Sequence, residues 1–548
     1  MRKIQLLTIA LLVFAAGVLT AQEFSYDSKY VVELRQAYIR AGRVFPYSSF
    51  PVTLRQLNDA AERLDLTNAY ESEAAEDGVR YLFFIDGYLG ANASSDGRLV
   101  EPVAPRDGID IQRSWYQRPP FLRLGASISG ETGLLAAIEF EGRKEWSGDW
   151  FNSWNLPADG GQGYGLLFDN QMLARGILSW QGKDLRLSLG RDPTHIGPAG
   201  VLGLYPSSRL PYLDAFRLDG NIGRLRIDWL FGGFHPIQSW EAILDGTGAY
   251  YNDVIKVEEQ WDGSNPIPVF FGIHRLQYVG DRLRLSIGEE IFYARNPMFF
   301  EANDFLPIAT WHGLDFYPDN MALILDFSWA VTNGLTLHGM AGYDDISSDI
   351  FGIYDSPVPT IDAYVLALEF DAPVAGTRVS GMVQAGYTHY LWGNFNANTS
   401  SGGGWNTTKD PLLLARHVAR YYTDDGDGVL LPFSSPYGPG ALWFETSLEA
   451  KPFGDWLLLG LDLFVLSKNT QASLVTTAYE RSSTVENAPR TVLVELGLPV
   501  ETHFSTSIGT ALLGFRPSMS FLDGQLSMNM DLRFGMKMGG SDGALKQY

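Results

Sequence analysis

The stretch Leu526-Ser527-Met528-Asn529-Met530-Asp531-Leu532-Arg533-Phe534-Gly535-Met536-Lys537-Met538 decides the fold. Every second residue is apolar, and those between are polar, charged or glycine. Side chains on a β-strand point alternately to opposite faces, so this strand has one wholly apolar face and one hydrophilic face. In a soluble sandwich the apolar face meets a second sheet. In a membrane barrel it meets lipid, and the charged face lines the interior.

Working outward, the same period recurs. Leu225, Ile227, Trp229 and Phe231 alternate with Arg224, Arg226 and Asp228, and Leu283, Leu285 and Ile287 oppose Arg282 and Arg284. Leu457, Leu459, Leu461, Leu463 and Val465 form one face of a further segment whose other face carries Trp456 and Phe464. Glu289 falls on the apolar face of its run and reads as a bulge or as a residue at the membrane rim.

The connections separate barrel from sandwich. Short polar links near Gly182, Asn221, Gly280, Asn333, Gly376, Gly454 and Glu501 alternate strictly with the long segments Arg191 to Leu213, Gly233 to Pro268, Ala294 to Asp319 and Leu391 to Gly440. Short turns on one side and long loops on the other characterise transmembrane barrels, with the turns facing the periplasm. Candidate runs begin near Tyr81, Phe121, Leu134, Leu166, Asp184, Asp214, Gly223, Val269, Asp281, Asn320, Gly334, Thr360, Gly376, Ala441, Asp455, Arg490, His503 and Gly524. The expected fold is an all-β transmembrane barrel of about eighteen antiparallel strands, an even number as in single-chain bacterial barrels. No blade-length or solenoid repeat favours a propeller.

Ahead of these strands the period is helical. Tyr30 to Ala41 closes at Gly42; further on, Pro51 sits near a helix start, Thr53 and Gln56 have capping-box spacing, and Leu54, Leu57, Ala61 and Leu64 share a face. A compact helical hairpin or bundle is expected there, placed in the periplasm. Arg2 and Lys3, the apolar run Ile4 to Leu19 and the small residue Ala21 read as a secretory leader, with an uncleaved anchor as the competing reading. The expected organisation is therefore a leader over 1–21, a helical domain over 22–80, a barrel over 81–538 and a polar tail over 539–548.

Composition excludes several classes. The chain has 548 residues, no cysteine and a formal net charge of -22. Without cysteine neither a disulfide framework nor a lipid-modified cysteine is available. The acidic balance argues against nucleic acid, whose phosphates recruit Lys and Arg. Aromatic residues make up 13% of the chain and glycines number 58, which suits many strands and turns. Past the leader no apolar run approaches the ~20 residues of a spanning helix.

Several short motifs then resemble a known family. Gly190-Arg191-Asp192, Gly197-Pro198 and Leu210-Pro211-Tyr212-Leu213-Asp214 resemble a strand, loop and strand of Wzi-like capsule-assembly outer-membrane proteins. Asp319-Asn320-Met321 opening a strand that ends in Trp329, the run from Leu335 to Asp344-Asp345, Phe50-Pro51 in the helical segment, and Tyr437-Gly438-Pro439-Gly440 are similar to further family features. The chain departs from the pattern at Pro198-Ala199-Gly200-Val201, where a glycine is expected directly after the proline. The resemblance implies an eighteen-stranded barrel in the outer membrane of a diderm bacterium. In that fold helices close the periplasmic side, and long loops help hold capsular polysaccharide.

Chemistry-bearing motifs are sparse. The eight histidines are dispersed, Gly402-Gly403-Gly404 lacks the Lys and Ser or Thr of a phosphate loop, and no nucleophile elbow appears. No enzyme activity, metal or cofactor is expected. The best ligand-facing segment is Leu391 to Gly440, where Trp392, Trp405, Tyr421 and Tyr422 lie beside Asn394, Asn396, Asn406 and the cluster Asp424, Asp425 and Asp427. Aromatics stack on sugar C–H faces while amides and carboxylates take hydroxyls, so this composition suits glycan contact; interfacial girdle aromatics and a solvated acidic turn are the rival readings. Asp410 and Pro411 open a candidate short helix through Tyr421 over the barrel mouth. The inward charges Arg224, Arg226, Arg282, Arg284, Arg533 and Lys537 either line a pore or pair with Asp228, Asp531 and Glu290 to fill a closed lumen. The expected function is binding or organising of surface polysaccharide by a barrel embedded in outer-membrane lipid, its oligomeric state open with a monomer favoured. A porin or channel for small solutes is the alternative.

Overall fold

The computed structural model describes residues 23–66, 80–95, 122–130, 133–142, 173–208, 210, 212–233, 269–294, 319–345, 359–393, 433–454, 456–472, 481–506 and 509–539. The N-terminal segment comprises β1 (Glu23–Phe24), α1 (Lys29–Arg40), β2 (Ser49–Phe50), β3 (Val52–Thr53) and α2 (Leu54–Glu62). The wall follows as β4 (Arg80–Ser94), β5 (Leu122–Ser129), β6 (Leu134–Gly142), β7 (Leu173–Gln181) and β8 (Leu185–Asp192). A short β9 (His195–Ile196) leaves the wall before β10 (Leu213–Ile222), β11 (Leu225–Gly233), β12 (Val269–Val279), β13 (Leu283–Ala294), β14 (Asp319–Thr332) and β15 (Leu335–Asp345). The circuit continues through β16 (Ile361–Val374), β17 (Thr377–Thr388), β18 (Ala441–Lys451) and β19 (Leu457–Asn469). One turn of helix, α3 (Ser483–Glu486), then precedes β20 (Arg490–Gly497), β21 (Val500–Thr506), β22 (Gly509–Leu522) and β23 (Gln525–Gly539).

The wall is a closed antiparallel barrel in which β23 pairs with β4, Phe534 opposite Leu89. Closure removes the unpaired strand edges that an open sheet exposes. The barrel has eighteen staves because β20 and β21 are two halves of one. Both pair with β19 and both with β22. The interruption lies at Leu498-Pro499, where proline has no N–H to give the ladder.

This corrects two expectations. Glu501 does not sit in a turn; it lies inside β21, opposite Leu458 and Gly514. Its neighbours Gly497 and Pro499 mimic a turn in sequence but form a break within a stave. Nor do tight turns and long loops alternate strictly, since β22 and β23 are joined by the two-residue turn Asp523-Gly524 at the end where the long connections lie. Both turn residues have positive φ, 45° and 92°, the geometry that matches strand twist in a hairpin. Ala375-Gly376, with φ 49° and 83°, does the same at the opposite, short-turn end. The run expected from Leu166 is described from Leu173 onward, and the link placed at Asn221 falls at Gly223-Arg224.

The alternation of the deciding stretch is realised: Leu526, Met528, Met530, Leu532 and Phe534 are all exposed on the outer surface. Phe83, Leu89, Leu189, Ile287, Leu366 and Leu513 continue the same apolar belt around the wall. An apolar exterior around a closed barrel is the arrangement lipid chains require. Glu289 forms no bulge. It stays in register between His274 and Leu323, faces outward, and meets His274 Nδ1 at 2.9 Å beside the Trp229 ring. Both residues of the pair are buried.

The N-terminal helices form where expected. Ser28 caps α1, and Gly42 at φ 66° ends it, with Gly42 N–H donating to Ile39 O and Arg43 N–H to Tyr38 O, a Schellman pair. Thr53 and Gln56 form the reciprocal capping box of α2 at 2.8 and 3.1 Å. Val31, Leu34 and Tyr38 pack with Leu57, Ala60 and Ala61 in one core. The connection between the helices is not the tight link of a hairpin but an extended segment, Phe45 to Thr53, that enters the barrel.

Candidate functional site

The Phe45–Pro51 segment lies across inward-facing arginines from five wall strands. Arg284 of β13 donates to Phe45 O and Tyr47 O at 3.1 and 3.0 Å, and Arg226 of β11 donates to Pro46 O at 2.7 Å. Arg275 of β12 donates to Ser48 O at 2.9 Å. Arg217 of β10 donates to Phe50 O at 2.7 Å, and Arg186 of β8 to Pro51 O at 2.6 Å. These contacts read main-chain carbonyls, which explains how a segment of mostly apolar residues can be held in a charged lumen. All five arginines are at least nine-tenths buried. Left without acceptors, each would carry a large desolvation cost.

Wall carboxylates complete the set. Arg186 and Arg217 share Asp219 at 2.7 and 3.0 Å, and Arg275 meets Asp228 at 2.8 Å and Asp326 at 3.2 Å. The N-terminal segment contributes charges of its own: Glu23, with its side chain wholly buried, receives Arg175 at 2.6 Å and Ser179 at 2.9 Å. On the α1 side Arg35 meets Glu369 at 2.8 Å and Arg40 meets Asp371 at 2.5 Å. The end of α1 is tied to the short turns, with Val44 N–H donating to Asp281 O and Gly334 N–H to Ile39 O. The segment therefore plugs the barrel from the short-turn end.

From the long-loop end the connection between β8 and β10 folds inward to meet it. Its β9 pairs with β2, Ser49 opposite Ile196 and Phe50 opposite His195. His195 is enclosed, its ring 4.5 Å from Tyr26 and 5.8 Å from Phe50, with Nε2 3.0 Å from Pro198 O. Burial pushes its imidazole down from 6.5 to about 4, so it is neutral at pH 7. Above it Leu204, Tyr205, Leu391, Trp392, Phe433 and Tyr437 form an apolar inner cap. The Tyr205 hydroxyl donates to the carbonyls of Leu325 and Ala341, and Lys468 Nζ donates to those of Tyr437 and Pro439.

Of the inward charges singled out in the sequence, Arg226 and Arg284 hold the plug. Arg224 and Arg282 lie in the short turns, donating to the Tyr278 hydroxyl at 3.3 Å and to the carbonyls of Ala330 and Val331. Arg533 faces Asp531 at 3.9 Å, and Lys537 points inward between Thr510 and Asp86 in register. Glu290 accepts from the Ser434 hydroxyl at 3.3 Å.

Among the glycan-facing candidates Trp392 is buried in the inner cap, its indole N–H donating to Ser434 O at 2.9 Å. Trp405, Tyr421, Tyr422, Asp424, Asp425 and Asp427 lie outside the described residues, as do the glycine run 402–404 and the helix expected from Asp410. Sequence reasoning missed Arg186, Arg217 and Arg275, although each occupies a polar position of an alternating strand. Their signal was arginine recurring at inward positions of neighbouring strands.

No family model matches the chain, and no curated protein matches it. Among solved structures it is similar to Wzi of Escherichia coli, described as an outer membrane protein involved in group 1 capsule assembly and as a carbohydrate-binding β-barrel. Identity is 13% and the TM-score 0.53, over 94% of this chain and 99% of that one. OccD3 of Pseudomonas aeruginosa and OccAB4 of Acinetobacter baumannii are also similar, each at 9% identity and TM-score 0.39 over 84% of this chain and 92% and 98% of theirs. The last two likenesses are too slight to weigh. The likeness to Wzi spans nearly the whole of both chains, and what it establishes is the fold: this chain is a closed eighteen-stave barrel of the Wzi kind.

Proposed function

We propose that this protein is a non-enzymatic outer-membrane barrel that binds or organises capsular or other surface polysaccharide through its long connections. The observation that carries this reading is the plug. Five buried arginines hold the N-terminal segment across the lumen, and β9 meets it from the other end, so the described interior is built as a support rather than as a wide pore. In this reading the apolar belt faces lipid, the short turns and N-terminal helices face the periplasm, and the long connections face outward. The carbohydrate-binding description of the Wzi structure adds support from a protein of similar fold.

Two measurements test it. Purified full-length protein in planar bilayers is expected to give no steady large-conductance openings, which a porin would give. A glycan array, followed by titration of the best ligand, is expected to show saturable binding; absence of saturable binding to any surface glycan overturns the reading.

A further inference from the structure

The N-terminal segment and the barrel interior have separate cores. Among the described residues, the buried cluster that contains Val31, Leu34, Tyr38 and Leu57 draws on residues 24–61, and its one member from elsewhere is Ala199 of the β9–β10 connection. The inner cap with Leu204, Tyr205, Trp392 and Phe433 belongs to a second cluster, whose buried members run from Ile196 to Leu493 and include none from the N-terminal segment. Apolar surface buried within one body stays buried when two bodies part, so neither core opposes their separation. The wall is equally independent. No strand of the N-terminal segment is a stave of the barrel, since β1 pairs with β3 and β2 with β9.

What joins the two bodies is mostly polar. Besides the five wall arginines on the carbonyls of the Phe45–Pro51 segment, Gln36 donates to the Ser380 hydroxyl at 3.3 Å and accepts from Arg378 at 2.7 Å, and the Ser48 hydroxyl donates to Gln277 at 2.6 Å. The pairs Arg35–Glu369, Arg40–Asp371 and Arg175–Glu23 flank them. Apolar contact across the seam is small, with Ala199 and the rings of Tyr26 and Phe50 against His195. When a polar interface opens, water takes over the hydrogen bonds and hydrates the ions, so the net cost is far below the sum of the contacts. Units divided in this way open locally at a lower free energy than the whole fold.

We propose that the N-terminal segment is a separable stopper that undocks as one body toward the short-turn end while the wall stays closed, uncovering a chamber lined by Arg186, Arg217, Arg226, Arg275 and Arg284. The direction follows from the inner cap, which occupies the long-loop side of the lumen and keeps its own core. With the cap in place, release opens the short-turn end of the interior. The polysaccharide reading is not needed for this device, and a failure of glycan binding leaves it standing.

The chain has no cysteine, so single introduced thiols report directly. Ser179 of β7 donates to Glu23 at 2.9 Å, and Thr336 lies on the inner face of β15, two residues past Gly334, whose N–H holds the Ile39 carbonyl of α1. Both are buried in the docked state. In the circuit of the wall Arg284 stands two staves from Thr336 and five from Ser179. Ser179→Cys and Thr336→Cys are prepared as full-length protein in detergent, each with and without Arg284→Met, and labelling by a small charged methanethiosulfonate is timed. Where reclosing outpaces labelling, the rate reads the undocked population.

Arg284→Met removes two charge-assisted bonds to the plug and is expected to speed labelling about a hundredfold at both thiols alike, with heat-modifiable gel mobility unchanged. Acceleration at one thiol only shows fraying of part of the segment and overturns release as one body. Acceleration at neither overturns undocking. Labelling that begins only under conditions that also abolish the folded gel mobility shows plug and wall opening together, and overturns their separability.

Discussion

Replacing Arg284 by methionine tests whether the arginines hold the plug. The substitution keeps an unbranched chain of similar length and removes every donor. Two plug carbonyls, Phe45 O and Tyr47 O, lose their hydrogen bonds, as does the Ser328 hydroxyl. Hydrogen bonds to a charged group contribute about 1.5 to 3 kcal/mol each, so the two carbonyls together represent at least about 3 kcal/mol of docking energy. Each 1.4 kcal/mol is a factor of ten, so the undocked population rises by roughly a hundredfold. Limited trypsin digestion in native detergent reads that population when reclosing is faster than cleavage. Arg35, which is partly buried and paired with Glu369, is the diagnostic site: cutting after it is expected to accelerate by about two orders of magnitude in Arg284→Met. Heat-modifiable gel mobility must stay as in wild type, showing an intact barrel. Arg224→Ala, which removes an exposed guanidinium from a short turn, is expected to leave cutting unchanged. Arg284→Met cut no faster than wild type, or Arg224→Ala cut equally fast, refutes the argument.

Acid is expected to loosen the β2–β9 junction through His195. Its folded pKa of about 4 lies below the unfolded 6.5, so the stability present above pH 6.5 is lost as pH falls toward 4, about 2 kcal/mol of it by pH 5. Arg275 and Arg35 add to the lowering by repelling a protonated ring, while Asp27 opposes it. Plug protection from protease, compared at pH 7 and pH 5, should fall in wild type and less steeply in His195→Gln; identical slopes would refute the assignment. Gly342→Ala places a methyl against the Trp392 ring and 2.9 Å from Tyr205. Overpacking of this kind costs about 2 kcal/mol, and the heat-modifiability midpoint should drop measurably, with an unchanged midpoint contradicting the packing of the inner cap.

The barrel was legible because its constraint is local. Alternation from Leu526 to Met538 assigns every side chain to the outer face or the lumen without knowledge of any other strand, and turn pairs such as Asn333-Gly334 declare themselves by residue type. The capping box at Thr53 and Gln56 was legible for the same reason. Errors arose where a local signal was ambiguous: Gly497, Pro499 and Glu501 look like a turn, and only the partners β19 and β22 show that the stave continues through them. Glu289 looked misplaced until His274 was found opposite it.

The plug was invisible for a different reason. Phe45-Pro46-Tyr47-Ser48-Ser49-Phe50-Pro51 is an apolar stretch with neither helical nor strand period, and the arginines that bind it lie 135 to 239 residues away. What they bind is the main chain, which carries no residue-specific code. By itself the sequence determined that the wall is a closed barrel and which face of each strand is its apolar outer face, since both follow from period and turn chemistry. Tertiary structure alone decided that the lumen is filled by the chain's own N-terminal segment. That outcome depends on which guanidinium finds which carbonyl across the barrel, and long-range pairing leaves no periodic mark on the chain.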